Sequence, residues 1–191
     1  MAISASSDAS ARASADLLVL KRINTLDEEV ATTNANLPSL KRNCNSLAPR
    51  IRKLNMSAST EIVRSVIQQF ANAVSARNFT ALANLGAPEA SYFVAGLQKK
   101  IPLAGDAPYT ERVEQMQPIL GGMDTFTFKV LGITVEGDTG VLEGEPIGEG
   151  PDGKSYRNNG LIKMVVKDGR IQSVREYIDF VALYQYLGLE L

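Results

Sequence analysis

The sequence predicts an α+β fold in which about three helices cover one concave face of a curved antiparallel sheet. Two observations support this prediction. Apolar residues recur at helical spacing between residues 60 and 116, and after residues 121–122 they alternate with polar residues, as in strands buried on one face. This domain is expected over residues 57–191, and a separate helical or partly disordered extension over residues 1–56 precedes it.

The composition limits the class of protein. With 45% apolar and 21% charged residues, the 191-residue chain resembles a soluble globular protein. Its net charge of −1 gives no reason to expect nucleic acid as a partner. No apolar run is long enough to cross a membrane or to serve as a secretory signal. We therefore expect a cytoplasmic protein without a membrane span.

The chain contains no histidine and one cysteine, Cys44. The lack of histidine excludes His-dependent triads, His-ligated zinc and an imidazole general base. A single cysteine excludes an internal disulfide and a cysteine-based metal cluster. Catalysis would have to use carboxylates, Tyr, Lys, Arg or water, and that chemistry requires neither a metal nor an organic cofactor.

Residues 1–56 carry an apolar stripe whose steps alternate between four and three residues, as in a coiled-coil seam. Pro38 and Pro49 interrupt it and each breaks or kinks a helix. One interpretation is a helix over about 14–36, a break, and a shorter helix. We expect this stripe either to pack on the main domain or to stay partly disordered. The alternative is that two copies of the chain associate through the seam. Its members are Val19, Ile23, Leu26, Val30, Thr33, Leu37, Leu40, Cys44, Leu47, Ile51 and Leu54.

Three helices are predicted in the first half of the main domain. The first has a wide apolar face. Asn78 is the expected cap of a short second helix over 79–85. A loop over 96–108 leads to a third helix, over about 109–116, which is expected to end near Pro118. The apolar face of the first helix consists of Ile62, Val63, Val66, Ile67, Phe70 and Val74.

The second half of the domain predicts a four-stranded antiparallel meander. Gly132 indicates a bulge in the first strand. The second strand covers about 141–148. The last two strands, over 156–166 and 170–179, are joined by a tight Asp168-Gly169 turn, a dipeptide that favours hairpins.

Several short segments carry a family resemblance. They are Asn-Phe-Thr-Ala-Leu at 78–82, Pro-Leu-Ala-Gly at 102–105, and the closing Lys-Asp-Gly-Arg-Ile…Arg-Glu-Tyr-Ile-Asp-Phe over 167–180. Over about residues 60–188 the chain resembles the SnoaL-like polyketide cyclase group of the nuclear transport factor 2-like, ketosteroid-isomerase-like superfamily. The resemblance implies a conical α+β barrel with one deep, largely apolar pocket, often paired into dimers through the sheet.

The resemblance also implies a first catalytic candidate, Asp179. Characterised cyclases of this group are associated with a His-Asp acid/base pair, and Asp179 matches the Asp by motif. Strand alternation places Arg175, Tyr177 and Asp179 on one face, and Glu176 with two apolar neighbours on the other, so Glu176 is also a candidate for the cavity. An apolar cavity raises the pKa of a carboxyl toward neutral pH. The alternatives for Asp179 are a salt bridge to Arg175 or a helix cap.

Four further residues complete the expected site. Tyr92, Tyr156 and Tyr177 can each donate a hydroxyl hydrogen bond to a developing oxyanion, although such tyrosines are more often half-buried packing residues whose hydroxyl is already bonded. Asn158 lies early in a strand, where Asn is disfavoured. This conflict indicates either a pocket-facing amide or a loop-to-strand transition. We assign Tyr92 to catalysis, and Asn158, Tyr156, Tyr177 and Arg175 to substrate binding.

Two functions follow from this site. The first is acid/base catalysis of cyclisation, isomerisation or dehydration on a small hydrophobic or polyketide-like substrate, with Asp179, Glu176 and Tyr92 as catalytic residues and without a cofactor. The second is a non-catalytic module of the same fold that binds a small ligand or dimerises. A small hydrophobic molecule and a second copy of the chain are the expected partners.

Overall fold

The structure is a computed structural model in which residues 59–190 are described, together with Leu18, Lys21, Arg22 and Thr25. The chain divides into two units, Met1–Arg52 and Lys53–Leu191. In the first unit the four described residues are helical and exposed, and the Thr25 hydroxyl donates a hydrogen bond to the Lys21 carbonyl at 2.6 Å. The predicted coiled-coil stripe lies outside the described residues.

Residues 59–190 form four α-helices. The predicted cap of the second is confirmed, because the Asn78 side chain accepts a hydrogen bond from the backbone N–H of Ala81 at 2.9 Å. The last helix follows the closing strand after a single residue, Asp179, which caps it. The bounds are 59–75 (α1), Phe79–Asn84 (α2), Tyr109–Gly121 (α3) and Phe180–Leu187 (α4).

Helix α3 is longer than predicted. It continues through Pro118 to Gly121, so the expected end near Pro118 was wrong. Proline removes one helical hydrogen bond and crowds the preceding turn. Ile119 and Leu120 nevertheless pack against the main hydrophobic core, and burial of this last turn outweighs the local preference.

A seven-stranded sheet forms the other layer. Its order is β2-β1-β7-β6-β4-β3, and β5 pairs with β4. The strands are Gly86–Val94 (β1), Gly105–Pro108 (β2), Thr125–Glu136 (β3), Thr139–Glu149 (β4), Ser155–Arg157 (β5), Gly160–Lys167 (β6) and Arg170–Ile178 (β7). The predicted α+β class and curved sheet are confirmed. The sheet is mixed, since β1 runs parallel to β7. It is not closed into a barrel, and β2 and β3 are its two edges.

The sheet departs from the predicted meander at two places. Residues 105–108, expected in a loop, form β2 against β1. The predicted strand over 156–166 is divided at residues 158–159 into β5 and β6. The predicted Gly132 bulge is confirmed by a shift of register between Val130 and Gly132. The predicted turn at 168–169 is confirmed by positive φ values of 51° and 71°, as a tight hairpin requires.

The core lies between α1 and the inner face of the sheet. Ile67 and Phe70 of α1 are buried with Leu142, Met164 and Val174 from three strands. Glycines on the inner face of β4 allow this close packing. A Cβ at Gly144 would lie 2.2 Å from the Phe128 ring, and one at Gly140 would lie 2.3 Å from Ile67. The Phe128 and Ile67 side chains therefore lie over the glycines of β4, and the Phe128 ring forms part of a cavity wall.

Candidate functional site

A cavity opens on the inner face of the sheet beneath α3 and α4. Its internal volume is about 100 Å³. Most of the lining is apolar, contributed by side chains such as Phe70, Phe128, Ile162 and Leu183. Five polar or ionisable side chains also reach it. They are Tyr92, Arg112, Gln115, Tyr156 and Glu176.

Glu176 is the carboxyl group of this cavity. It lies on β7 beside Val94 of β1 and opposite Ile162 of β6, and it is half-buried. The Tyr92 hydroxyl donates a hydrogen bond to Glu176 Oε2 at 3.0 Å, and Oε1 has no hydrogen-bond partner within residues 59–190. Burial raises the pKa of Glu176, while the Tyr92 bond and the charge of Arg112 oppose that rise. Glu176 is therefore a desolvated carboxyl with one oxygen free for a ligand.

Tyr92 is a fixed hydrogen-bond donor. It is fully buried, and its ring stacks on Tyr109 with centroids 6.0 Å apart. The Tyr109 hydroxyl donates to the Leu82 carbonyl at 2.8 Å, so the second ring is also held in place. Burial, with the nearby charge of Glu176, raises the pKa of Tyr92 well above its ordinary value. Tyr92 therefore keeps its proton at neutral pH and uses it to donate a hydrogen bond to Glu176.

Arg112 is a buried cation in the cavity wall. It is 3% exposed; Nη1 donates to Gln115 Oε1 at 2.7 Å and Nη2 to the Gly105 carbonyl at 3.1 Å. Its Nε has no hydrogen-bond partner in the part of the chain that the structure describes. Within residues 59–190 it makes no direct ion pair with a carboxylate, Glu176 included. Its hydrogen-bond partners among these residues are therefore two neutral groups, the Gln115 amide and the Gly105 carbonyl.

Sequence reasoning missed Arg112 and Gln115. The signal was present in α3, because Tyr109, Arg112, Val113 and Met116 follow one another at steps of three, one and three, and so share one helix face. An arginine inside such an apolar stripe indicates a side chain that reaches a partner below the surface.

Asn158 is buried next to the cavity and is hydrogen-bonded to Tyr156. Its Nδ2 donates to the Tyr156 hydroxyl at 3.0 Å and to the Asp179 carbonyl at 2.8 Å. Its Oδ1 accepts from the backbone N–H groups of Asn159 and Asp179 at 2.7 and 3.0 Å. The Asn158 amide, predicted to bind substrate, therefore spends its hydrogen bonds on the backbone at two strand ends and on Tyr156. Tyr156 lines the cavity and Asn158 does not. Burial raises the pKa of Tyr156 to about 12.

Asp179 lies outside the cavity. Its carboxylate is exposed and caps α4, accepting hydrogen bonds from the N–H groups of Val181 at 2.8 Å and Ala182 at 3.4 Å. This is the helix-cap alternative for the residue. The strand ends at Ile178, so the alternation that orients residues 174–178 no longer applies at position 179.

Arg175 and Tyr177 lie on the outer face of the sheet. The Arg175 guanidinium stacks over the Phe93 ring at 4.0 Å, and Tyr177 is about half-exposed beside Leu161. Neither lines the cavity, because alternation turns both away from the face that Glu176 occupies. Of the seven predicted site residues, the structure therefore brings Glu176, Tyr92 and Tyr156 to the cavity, and it leaves Asp179, Arg175, Tyr177 and Asn158 outside.

The described residues contain no group of three or more His, Cys, Asp or Glu side chains placed to hold a metal ion. Within the same part of the chain, no helix is both long and apolar enough to span a membrane.

Solved structures share this fold. An NTF2-like protein from Burkholderia xenovorans LB400 is 18% identical, with a TM-score of 0.53 over 67% of this chain and 97% of its own. IdmH, a putative polyketide cyclase from Streptomyces antibioticus, is 20% identical with a TM-score of 0.56 over 66% and 99%. An LEH-like epoxide hydrolase from M. tuberculosis is 18% identical with a TM-score of 0.53 over 67% and 90%. At such identities the likeness shows the fold alone.

The sequence comparison is more specific. No curated protein matches the chain. The SnoaL-like domain family matches residues 67–174 of the 191, a segment that begins in α1, ends in β7, and includes Tyr92, Arg112 and Tyr156. The predicted resemblance is confirmed, and the chain belongs to the SnoaL-like domain family.

Proposed function

We propose that the protein is an acid/base enzyme for a small, largely apolar substrate, and that Glu176 is its general acid or base. The observation that supports this most is the state of Glu176: a desolvated carboxyl in an apolar cavity, with Oε2 held by Tyr92 and Oε1 free. A raised pKa makes the carboxylate a stronger base and suits proton transfer near neutral pH. Cyclisation, isomerisation and dehydration all use such a transfer.

The reaction that fits this geometry begins at a carbon next to a carbonyl group. Glu176 takes the proton from that carbon, and the electron pair of the C–H bond moves to the carbonyl oxygen, which forms an enolate. In an isomerisation the proton returns from Glu176 to a different carbon. In a cyclisation the enolate carbon attacks a second carbonyl, and the alkoxide so formed takes the proton from Glu176. In a dehydration the enolate re-forms its carbonyl and expels the hydroxyl group from the neighbouring carbon, which leaves as water with the proton from Glu176.

Tyr156 is suited to hold the enolate oxygen. The Nδ2 group of Asn158 donates to the Tyr156 oxygen, so the hydroxyl proton of Tyr156 remains available for an acceptor in the cavity. The direction of the Asn158 amide is not arbitrary, because its Oδ1 accepts from two backbone N–H groups. A hydrogen-bond donor placed where negative charge develops is the usual means of stabilising an enolate.

Deuterium exchange tests this function without knowledge of the natural substrate. Small apolar ketones, beginning with 2-tetralone, are incubated with the protein in D₂O, and NMR follows loss of the protons next to the carbonyl. We expect the wild type to exchange faster than buffer, and Glu176→Gln to fall to the rate of buffer. Wild-type exchange that survives in Glu176→Gln would remove Glu176 from the mechanism.

The second candidate function is ligand binding without catalysis. The chain has no histidine to act as a second acid/base group, and this favours a binding module. Native mass spectrometry of the purified protein separates the two. A small molecule retained in the cavity, with no ketone exchanged, supports binding, and an empty protein that exchanges ketones supports catalysis.

We also propose that the outer face of the sheet joins two copies of the chain. Leu131, Leu161 and Tyr177 are 48%, 49% and 47% exposed there, and Leu161 lies directly opposite Tyr177 on the neighbouring strand. Sedimentation velocity is the test. We expect a dimer in the wild type and a monomer in Leu161→Glu, while Leu97→Glu, at an exposed leucine in a loop, should leave the dimer intact. A wild-type monomer at high concentration overturns this proposal.

A further inference from the structure

We propose that Arg112 makes one end of the cavity an anion subsite, and that the natural ligand is a small apolar molecule bearing a carboxylate. The inference deepens the proposed function, because it takes the same cavity as the ligand site and names the substrate class. It concerns binding alone and does not depend on which reaction Glu176 promotes.

The buried charge of Arg112 is costly without a counter-ion. Arginine keeps its proton under all ordinary conditions, and a guanidinium removed from water is costly unless it is paired. Arg112 is 3% exposed, yet its hydrogen-bond partners are the neutral Gln115 amide and the Gly105 carbonyl. Within residues 59–190 no carboxylate forms an ion pair with it. A bound anion would supply the missing charge.

Arg112 also has unused donors. A guanidinium has five N–H groups, and Arg112 uses two of them in the bonds above. Its Nε, itself buried, has no hydrogen-bond partner among residues 59–190. The Nε–H and one N–H of an adjacent terminal nitrogen lie parallel, and such a pair matches the two oxygens of a carboxylate. Arg112 lines the cavity, so a carboxylate bound there would lie against this side chain.

The rest of the cavity suits the apolar part of such a ligand. Glu176 feels the charge of Arg112 but forms no direct ion pair with it, and its Oε2 accepts a hydrogen bond from Tyr92 instead. The remaining wall is largely apolar, with Met116 and Ile119 on the same helix as Arg112. A ligand held by its carboxylate at Arg112 would therefore place its apolar body against this wall. Its reacting carbon could then face the free oxygen of Glu176.

Matched naphthalene probes test the subsite. The chain has no tryptophan, so the fluorescence of 2-naphthoate and of uncharged 2-naphthalenemethanol reports their binding with little background. We expect the wild type to bind the carboxylate about tenfold more tightly than the alcohol, the usual effect of a hydrogen bond to a charged group. Arg112→Gln should remove this preference and leave the affinity for the alcohol unchanged.

Arg175→Gln is the matched control. It removes an arginine that stacks on Phe93 on the outer face, and it should change neither affinity. The proposal fails if the wild type binds both probes equally, or if Arg112→Gln weakens both to the same extent, as expected for an arginine that only ties Gly105 and Gln115 together. Should Arg112→Gln not fold, the wild-type comparison of the two probes still decides.

The outcome is separable from that of the proposed function. Glu176→Gln should lose ketone exchange and still prefer 2-naphthoate. If the protein prefers the carboxylate probe but exchanges no ketone, the anion subsite is supported and the catalytic proposal is refuted. If it exchanges ketones without preferring the carboxylate probe, the catalytic proposal is supported and the subsite is refuted.

Discussion

Two glutamates of the same sheet show how its faces differ. Glu145 on the outer face is 8% exposed, but Arg157 donates to it from Nε at 2.7 Å and Lys129 Nζ lies 3.5 Å away. Its pKa is lowered, chiefly by the Arg157 hydrogen bond. Glu176 on the inner face has a phenol as its direct partner, and burial raises its pKa. Ion pairing keeps Glu145 ionised, so it does not exchange protons near neutral pH. Desolvation raises the pKa of Glu176, so this residue is suited to proton transfer.

The largest difference between the two glutamates should be catalytic. Glu176→Gln keeps an acceptor for Tyr92 but cannot carry a proton, and we expect ketone exchange to fall about 10²–10⁴-fold, the usual contribution of general acid/base catalysis. Glu145→Gln should leave exchange near the wild-type rate, because its carboxylate faces away from the cavity. NMR exchange rates of the three proteins measure this, and equal losses in both variants would erase the contrast between the faces.

Glycines offer a second comparison of the faces. A Cβ at Gly144, on the inner face, would lie 2.2 Å from the Phe128 ring, whereas one at Gly132 would have its nearest neighbour at 4.0 Å. We expect Gly144→Ala to reduce the free energy of unfolding by about 1–3 kcal/mol through overpacking. Gly132→Ala should change it by less than about 0.5 kcal/mol. Urea denaturation checks both, and a Gly144→Ala protein as stable as the wild type would show that the cavity wall yields easily.

Asp179 separates stability from catalysis. Because its carboxylate caps α4, Asp179→Ala should cost about 1 kcal/mol in the free energy of unfolding and leave ketone exchange unchanged per folded molecule. Asp179→Asn retains a good cap and should be close to the wild type in both measurements. A large loss of exchange in a folded Asp179→Asn protein would return this residue to the mechanism.

Local pattern predicted the parts of the molecule that depend on local forces. Strand alternation correctly put Glu176 on the face opposite to Arg175 and Tyr177. It did not show which face lines the cavity, and the assignment of Arg175 and Tyr177 to substrate binding put them on the wrong side. The Asn78 cap, the Gly132 bulge and the 168–169 turn were likewise predicted, because each depends on a few neighbouring residues.

The misses depend on contacts between distant segments. Residues 105–108 form a strand because β1 lies beside them, and β1 in turn pairs with β7 about 80 residues later. The apolar stripe of α3 indicates that Arg112 faces inward, but it does not specify that α3 lies over the cavity. Asp179 was chosen by motif, and the motif does not reveal that β7 ends one residue earlier.

The smallest expected effect is a difference in the pH dependence of stability. The pKa of Glu176 is raised in the folded protein, so the unfolded chain releases this proton first as pH rises. Stability therefore falls with rising pH between the ordinary and the raised pKa. Glu176→Gln lacks this loss and should gain stability relative to the wild type as pH rises from acid to neutral, in urea denaturation at a series of pH values.

Glu145 should show the opposite slope. Its pKa is lowered in the folded protein, so its stabilisation is present above the ordinary carboxyl pKa and is lost as pH falls through the lowered one. Glu145→Gln should accordingly be less stable than the wild type at neutral pH and equal to it in acid. Its effect should also shrink in high salt, which screens the charges of Arg157 and Lys129. If the stability of both variants relative to the wild type changed with pH in the same direction, the two glutamates would not differ in the way proposed, one paired and the other desolvated.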